Sequence, residues 1–281
     1  PPRSTLFPYT TLFRSDHINN TPKQINLYTA LNWDLPAFAH VPMILGGDGA
    51  RLSKRHGAVN VMAYREKGFL PKALLNYIVR LGWSHGDQEV FSLEEMIDLF
   101  DLDNISKAPA SFNQEKLVWL NQFYIKSTDI SELIQHLQWH LEQRLIDVNS
   151  GPRIEDVVES LRDRSKTLVE MADSCIMFYH DFSVFDEKQA RKQFSDKSQS
   201  IIEALHSKLS ALDIWNAETV HGEIQKVCEQ ESVGFGKVGQ PFRLALSGNG
   251  KAGSIDVCAE LVGKNRTLAR LQMAIDYIKI L

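Results

Sequence analysis

Helix start and stop signals follow one another closely from Leu70 to the end of the chain, and they restrict the fold more than any other feature. Pro71 can open a helix because its missing N–H would have no intrahelical partner there, and Gly82 can end that helix. Ser92 and Glu95 have the spacing of a capping box, in which each side chain bonds the other's free backbone N–H. Such closely spaced signals predict many short helices, as in a bundle or a helical cage.

The second half of the chain continues this pattern. A long amphipathic helix is predicted from Asp129 to about Val148, and Asn149–Pro152 is a clear break. The glycine-rich stretch 234–239 predicts a turn, and Pro241 is predicted to open a short helix after it. Further helices are predicted over roughly 153–162, 165–180, 187–194, 198–211, 217–231, 254–262 and 266–280.

The first part of the chain is mixed. Thr21-Pro22 predicts a helix start, and the apolar run 40–45 could be a buried strand that ends in the glycine-rich loop 46–49. Residues 1–15 read PPRSTLFPYTTLFRS, repeat Thr-Leu-Phe, and show neither helical nor strand periodicity. We therefore interpret residues 1–15 as a non-native scar joined to a natural chain that begins at Asp16.

Composition and cysteine spacing argue against a membrane-spanning protein, a disulfide-rich protein and a zinc-knuckle protein. The content of 43% hydrophobic and 23% charged residues is ordinary for a globular protein, and no apolar run reaches the about 18 residues of a membrane-spanning helix. The three cysteines are far apart and form no Cys-x-x-Cys pair, which predicts reduced structural cysteines without a disulfide framework or zinc knuckle. The net charge of −4 decides nothing about nucleic acid, because phosphate contact needs only a local basic surface.

The run Arg51-Leu52-Ser53-Lys54-Arg55 carries the strongest chemical signal. Glycines before it allow the backbone to approach a ligand closely, and three cations with a hydroxyl donor suit a polyphosphate. A mobile lysine in such a loop can stabilise a departing pyrophosphate. Taken alone, however, a basic run of this length is more typical of a solvated loop.

The wider context is more specific. Residues 46–100, GGDGARLSKRHGAVNVMAYREKGFLPKALLNYIVRLGWSHGDQEVFSLEEMIDLF, closely resemble class I aminoacyl-tRNA synthetases of the bacterial glutamyl type, and the resemblance extends from Asp16 to Leu281. It implies that Lys54 is the catalytic lysine of glutamate adenylation. It also implies an ATP-binding loop made of Arg51, Leu52, Ser53, Lys54 and Arg55. Arg51 departs from the family's usual lysine; arginine keeps the charge but changes the hydrogen-bond geometry.

The resemblance also implies a domain organisation and a mainly α fold. Residues 16–62 would be the C-terminal remnant of a Rossmann-type catalytic domain with its ATP-loop. Residues 63–125 would be a stem-contact helical module, and residues 126–281 an all-helical anticodon-binding region, a bundle or cage. In the stem-contact module, Lys67, Arg80, Lys107 and Lys116 are candidate phosphate contacts.

Unpaired anticodon bases are read by hydrogen bonds to their exposed edges and by stacking, which calls for arginines and polar loop groups. Two places fit this need: Arg162-Asp-Arg164-Ser-Lys166, and Gly236–Arg243 with the following loop Ser247–Ile255. By resemblance, the anticodon-binding residues are Arg164, Gln240, Arg243, Ala252, Gly253, Ser254 and Ile255.

The expected function is glutamate–tRNA ligation in the cytoplasm, with tRNA(Glu), ATP and glutamate as partners and Mg²⁺ accompanying ATP. No zinc or other metal site is expected, nor a membrane partner, and the family's members are usually monomers. The family's first signature, of the His-x-Gly-His type, and most of the glutamate pocket are not found in this sequence. Half a site loses most of the positioning on which catalysis depends, so we expect this polypeptide to be inactive alone.

Four other interpretations stay open at this point. A glutaminyl-tRNA synthetase shares this type of catalytic loop but normally reads the anticodon with β-barrels. A shortened paralogue that glutamylates a modified tRNA base lacks the helical half. A non-catalytic tRNA-binding helical module or a purely structural bundle would need no active site. The sequence does not tell whether the enzyme is strict for one tRNA or also charges tRNA for glutamine.

Overall fold

The structure, a computed structural model, describes residues 10–52 and 60–280 of the chain. Contacts between Cα atoms divide the chain into two compact units, 1–124 and 125–281. The described residues are mostly helical, which confirms the predicted mainly α fold. None of the helices in these residues is long and apolar enough to cross a lipid bilayer.

The first unit opens with a parallel strand pair. Strand β1 (Thr10–Arg14) lies beside β2 (Ala37–Val41), and α1 (Thr21–Ala30) connects them in a β–α–β arrangement. The expectation that residues 10–14 carry no strand was therefore wrong. Whether residues 1–15 are foreign to the natural chain stays a prediction.

A second parallel pair joins β3 (Ile44–Leu45) to β4 (Ala110–Ser111). The sequence predicted one strand over 40–45, and the structure has two that are interrupted at Pro42. Proline cannot donate a ladder hydrogen bond, which explains the interruption.

Four helices complete this part of the chain: α2 (Val61–Glu66), α3 (Pro71–Arg80), α4 (Leu93–Leu99) and α5 (Gln114–Ser127). Pro71 occupies the first helical position of α3, as predicted. The capping box of α4 is complete, because the Glu95 N–H donates to Ser92 Oγ at 3.1 Å and the Ser92 N–H donates to Glu95 Oε2 at 2.7 Å.

The described residues of the second unit are helical apart from their loops. The helices that follow α5 are α6 (Ile130–Glu142), α7 (Ile154–Arg162), α8 (Leu168–Tyr179), α9 (Glu187–Gln193), α10 (Asp196–Ser210), α11 (Ala217–Gln230), α12 (Phe235–Ser247), α13 (Ile255–Val262) and α14 (Lys264–Ile278). Helix α10 packs on α14, and α11 packs on α13. Together with α12, their apolar faces form a core that includes Ile202, Leu205, Leu209, Val220, Ile224, Phe242, Leu271 and Ala274.

Two helix boundaries differ from the prediction. Helix α6 ends at Glu142 because Leu145 adopts a left-handed φ of 54° and the Ile146 N–H turns back to Leu141 O at 3.1 Å. Such an ending normally carries glycine, so leucine gave no signal. Helix α12 begins at Phe235, so Pro241 lies inside it and the predicted turn at 234–239 and helix start at Pro241 were wrong.

A buried arginine joins the ends of two helices in the second unit. Arg270 of α14 is 4% exposed. It donates to Leu246 O at 2.8 Å near the end of α12, and to Met177 O and His180 O at 2.9 and 3.0 Å around the end of α8. Because the last carbonyls of a helix have no intrahelical partner and carry negative partial charge, a guanidinium satisfies them well.

We expect Arg270→Met to lower the free energy of unfolding by about 3 kcal/mol, since it leaves several buried carbonyl oxygens without a donor. Urea denaturation followed by circular dichroism measures this loss. The matched control is Arg191→Met, because Arg191 is exposed and its nearest carboxylate oxygen, on Glu187, is 3.9 Å away. The control should change the stability by less than about 0.5 kcal/mol, and equal effects of the two variants would contradict the assignment.

Candidate nucleotide loop and RNA interface

The glycine-rich loop of the first unit is a tight reversal after β3. The Gly46 N–H donates to Ala50 O at 2.7 Å, and the Leu52 N–H donates to Ile44 O at 2.9 Å. Gly49 has a φ of +76°, a conformation that favours glycine. The side chain of Arg51 is exposed beside this reversal. The loop therefore anchors the beginning of the predicted ATP-binding run by backbone hydrogen bonds.

Ser53, Lys54 and Arg55 lie outside the described residues. Their assignment to ATP, and the catalytic role of Lys54, stay predictions. Of the five predicted loop residues, only Arg51 and Leu52 have a described position.

A cavity of about 270 Å³ in the second unit brings several predicted RNA-binding residues together. Arg164, in the turn after α7, lines it together with Ala252 and Gly253 from the loop between α12 and α13. Gly253 is buried, and a Cβ there would lie 3.3 Å from Ser160 O, so the loop approaches α7 closely. Residues about 90 positions apart in the sequence thus share one surface.

Arg243 lies next to this cavity, and its guanidinium makes few hydrogen bonds. Its Nη2 lies 3.5 Å from Gly253 O, and its buried Nε has no hydrogen-bond partner. Burial, and after it the charge of Arg164, lower the pKa of Arg243 below its ordinary value. In the part of the chain that the structure describes, neither arginine forms an ion pair. Two neighbouring guanidinium groups without a carboxylate favour an anion or a base edge as ligand.

The two carboxylates that line the cavity are engaged elsewhere. Asp173 accepts from Arg144 at 2.7 Å, and Glu170 accepts from the backbone N–H of Lys166 at 2.9 Å. Neither carboxylate forms an ion pair with Arg164 or Arg243 in the described residues. Glu170 nevertheless keeps its negative charge, because its partner is a neutral backbone N–H.

Arg162 and Arg164 have different environments although they are two residues apart. Arg162 donates to the backbone oxygens of Lys126 and Thr128, where α5 ends, and to Glu159 at 2.9 Å. Arg164 is exposed at the cavity. Arg162 is therefore a structural cap of α5, and Arg164 is the cation of this pair that a ligand can reach.

The other predicted contact residues differ in how accessible their side chains are. Gln240 is exposed on α12, one turn before Arg243. The Ser254 hydroxyl already donates to Asp256 Oδ1 at 2.5 Å, and His221 holds the other oxygen of that carboxylate at 2.9 Å. The side chain of Ile255 is 2% exposed, so an RNA contact from Ile255 would have to use its backbone.

Lys251 also lines the cavity and was not singled out by the sequence. It lies in a polar turn, Ser-Gly-Asn-Gly-Lys, that looks like an ordinary loop. Only the fold places its ammonium group next to residues of α7 and α8.

In the first unit, two of the four candidate stem-contact cations are held by one carboxylate. Glu89 pairs with Lys116 at 2.7 Å and with Arg80 at 3.1 Å. The Lys116 hydrogen bond, with help from Arg80, holds the pKa of Glu89 below its ordinary value although burial opposes this. Both cations therefore have a structural partner.

Comparison with known families agrees with these features. Residues 10–119 match the family model described as tRNA synthetases class I (E and Q), catalytic domain, and residues 132–275 match the one described as anticodon binding domain. The chain thus carries a match to a class I tRNA synthetase catalytic domain followed by a match to an anticodon binding domain.

Individual relatives of the chain are glutamate–tRNA ligases. The chain is 60% identical over 261 residues to a glutamate–tRNA ligase of Ruthia magnifica, and 59% identical over 262 residues to one of Vesicomyosocius okutanii. A crystal structure of a glutamate tRNA ligase from Elizabethkingia meningosepticum, in complex with its amino acid, matches 96% of the chain with a TM-score of 0.78 and 29% identity. The anticodon binding domain model covers just over half of the chain, so the chain belongs to that family, and the relatives named here are glutamate–tRNA ligases.

The match covers 93% of the chain but only 57% of each of the two relatives, and 57% of the solved structure. The activity, substrates and partners of a complete enzyme are therefore proposals for this chain. The described residues of the second unit contain no strand, in contrast to the β-barrels expected of a glutaminyl-tRNA synthetase.

Arg162→Ala and Arg164→Ala should separate structure from binding. Arg162→Ala leaves carbonyls at the end of α5 without a charged donor, so we expect a loss of about 2 kcal/mol in the free energy of unfolding. Arg164→Ala should stay within about 0.5 kcal/mol of the parent chain, because its side chain is exposed. Urea denaturation of both variants checks this, and a large loss for Arg164→Ala would remove it from the binding surface.

Proposed function

We propose that this chain serves the ATP-dependent charging of tRNA with glutamate, and that its second unit binds the anticodon loop of that tRNA. The observation that carries the proposal is the pair Arg164 and Arg243, which lacks an ionic partner in the described residues and lies within the segment matched by the anticodon-binding family. Gln240, Ala252, Gly253 and the backbone of Ser254 and Ile255 would complete the contact surface.

The chemistry of this surface suits unpaired bases. Guanidinium groups donate to ring nitrogens and carbonyl oxygens of a base edge, and they also contact phosphate. Arg243 is partly desolvated, so a hydrogen bond to its guanidinium gains strength from the lower local dielectric. A base that contacts it would bind to a donor that needs less further desolvation than an exposed arginine.

For the first unit we propose that Arg51 to Arg55 face the phosphates of ATP, and that Lys54 stabilises the pyrophosphate as it departs. The fixed reversal at Gly46 to Leu52 supports this, because it leads directly into the cationic run. Magnesium would enter with ATP as part of the nucleotide substrate. The described residues contain no group of three or more His, Cys, Asp or Glu side chains that could hold a metal.

We expect the 281-residue polypeptide alone to give no glutamate-dependent ATP–pyrophosphate exchange. The expected reason is that Lys54 stabilises charge only when the other half of a class I site positions ATP and glutamate against it. The assay should include a full-length glutamate–tRNA ligase as positive control. Robust exchange by the 281-residue chain would contradict this expectation.

A second candidate is a non-catalytic tRNA-binding module. It is favoured by the compact second unit, which has its own core and carries both arginines. Specific tRNA binding without exchange is expected of the 281-residue chain in either case. Restoration of exchange, when the preceding half of a relative's catalytic domain is supplied in trans, would support the synthetase and argue against the module.

Binding of tRNA to the 281-residue chain tests the anticodon assignment. Arg164→Ala should weaken binding of a glutamate-accepting tRNA about tenfold, since a good arginine contact to a base is worth about 1–3 kcal/mol. The matched control is Arg191→Ala, which removes an exposed arginine elsewhere in the same unit. Filter binding at a fixed salt concentration measures both, and an equal loss for the two variants would indicate non-specific charge attraction.

A further inference from the structure

A second cavity lies beside the first in the second unit. Its volume is about 250 Å³, close to the 270 Å³ of its neighbour, and the two share Asp173, Ser174 and Lys251 in their linings. Both are smaller than the roughly 300–1,000 Å³ typical of pockets for drug-sized ligands. Their size therefore suits one planar ring in each cavity.

The second cavity combines an apolar wall with polar groups. Ile176 and Val184 lie on the wall and are 38% and 71% exposed, so their apolar surface is open to a ligand in this cavity. Ser174 and Asn249 also line it and supply a hydroxyl and an amide. An apolar wall with hydrogen-bonding groups matches a nucleobase, which has an apolar face and a polar edge.

Among the described residues that line the second cavity, Lys251 is a cation without an ionic partner. Asp173 is paired with Arg144, and Asp181 is paired with Arg266 and Arg270 at 2.8 and 3.1 Å. The third carboxylate, Asp186, accepts the N–H of Gln189 at the start of α9. Lys251 makes no side-chain hydrogen bond or ion pair within the described part of the chain, and it stands where the two cavities meet.

The loop that carries Lys251 is held in place before any ligand binds. The Asp186 N–H donates to Gly248 O at 2.8 Å, and Gly248 has a φ of +73°. A Cβ on Gly248 would come within 2.8 Å of the Phe182 ring, so the loop backbone lies directly against that ring. Arg270 lies 5.1 Å from the centre of the same ring and bonds Leu246 O just before the loop. Preorganisation of this kind lowers the cost of ordering on binding.

We propose that the second cavity holds the nucleotide adjacent to the one bound beside Arg164, and that Lys251 contacts the phosphate that links the two. The proposal rests on the proposed function, because it extends the same RNA surface by one nucleotide. It assigns base binding to the wall formed by Ile176 and Val184 and assigns phosphate binding to Lys251.

The test uses the 281-residue chain and an anticodon stem-loop RNA in which one loop nucleotide at a time is abasic. Val184→Trp fills the second cavity and should weaken binding of the intact loop about fivefold or more, the lower end of what one stacked base contributes. With the RNA that lacks the base bound in the second cavity, Val184→Trp should bind as strongly as the parent chain does. With the RNA that lacks the base bound beside Arg164, Arg164→Ala should likewise bind as strongly as the parent chain does. The two abasic positions should be adjacent in the loop sequence.

Matched controls separate the proposal from a general effect. Ile214→Trp adds the same ring at an exposed apolar position that lines neither cavity and should bind like the parent chain. Lys251→Met should reduce the slope of log K against log salt by about 0.7, as expected for one lost phosphate contact on a single strand. Circular dichroism confirms that each variant folds.

Three results would overturn the proposal: parent-like binding by Val184→Trp, an equal loss on every abasic RNA, or an unchanged salt slope for Lys251→Met. If the parent chain binds the stem-loop no better than an unrelated hairpin, the proposed anticodon function fails and this inference fails with it. If Arg164→Ala behaves as expected while Val184→Trp and Lys251→Met do not, only the second cavity is wrong.

Discussion

The guanidinium of Arg270 is the contact on which the proposed RNA-binding surface of the second unit depends. It binds backbone oxygens at the ends of α8 and α12. The loop after α8 lines the second cavity, and the loop after α12 lines both cavities. Burial lowers the pKa of Arg270, and the hydrogen bond and charge of Asp181 act in the opposite direction. A buried cation is tolerated here because helix C-termini offer several carbonyl oxygens with negative partial charge. One side chain thus holds together two segments that are far apart in the sequence.

The same unit has cations without ionic partners in the described residues, although the net charge of the chain is −4. Arg144 engages Asp173, and Arg162 is used at the end of α5, so these cations serve the fold. Arg164, Arg243 and Lys251 form no ion pair in the described residues and lie along one face. Association with RNA depends on this local arrangement, because phosphate attraction falls off within about one Debye length.

Much of the helical architecture could be predicted, because caps and breaks act within a few residues. The capping box at Ser92 is present as predicted, and α3 begins at the predicted proline. The errors have local physical causes: Leu145 takes a left-handed conformation that usually needs glycine, and α12 accommodates Pro241 in its interior because it is packed on α10, α11 and α14. In these places tertiary packing overrides the local preference of the residue.

The sequence by itself determined most of the succession of helices and the cationic run at Arg51 to Arg55. It also carried the family resemblance of the chain. Only the tertiary structure decided that Arg162 supports a helix end while Arg164 faces a cavity, and that Lys251 stands between two cavities. The physical reason is that an arginine or lysine has the same local signal in either role. Whether its charge is used inside the protein is set by carboxylates and carbonyls that come from distant parts of the chain.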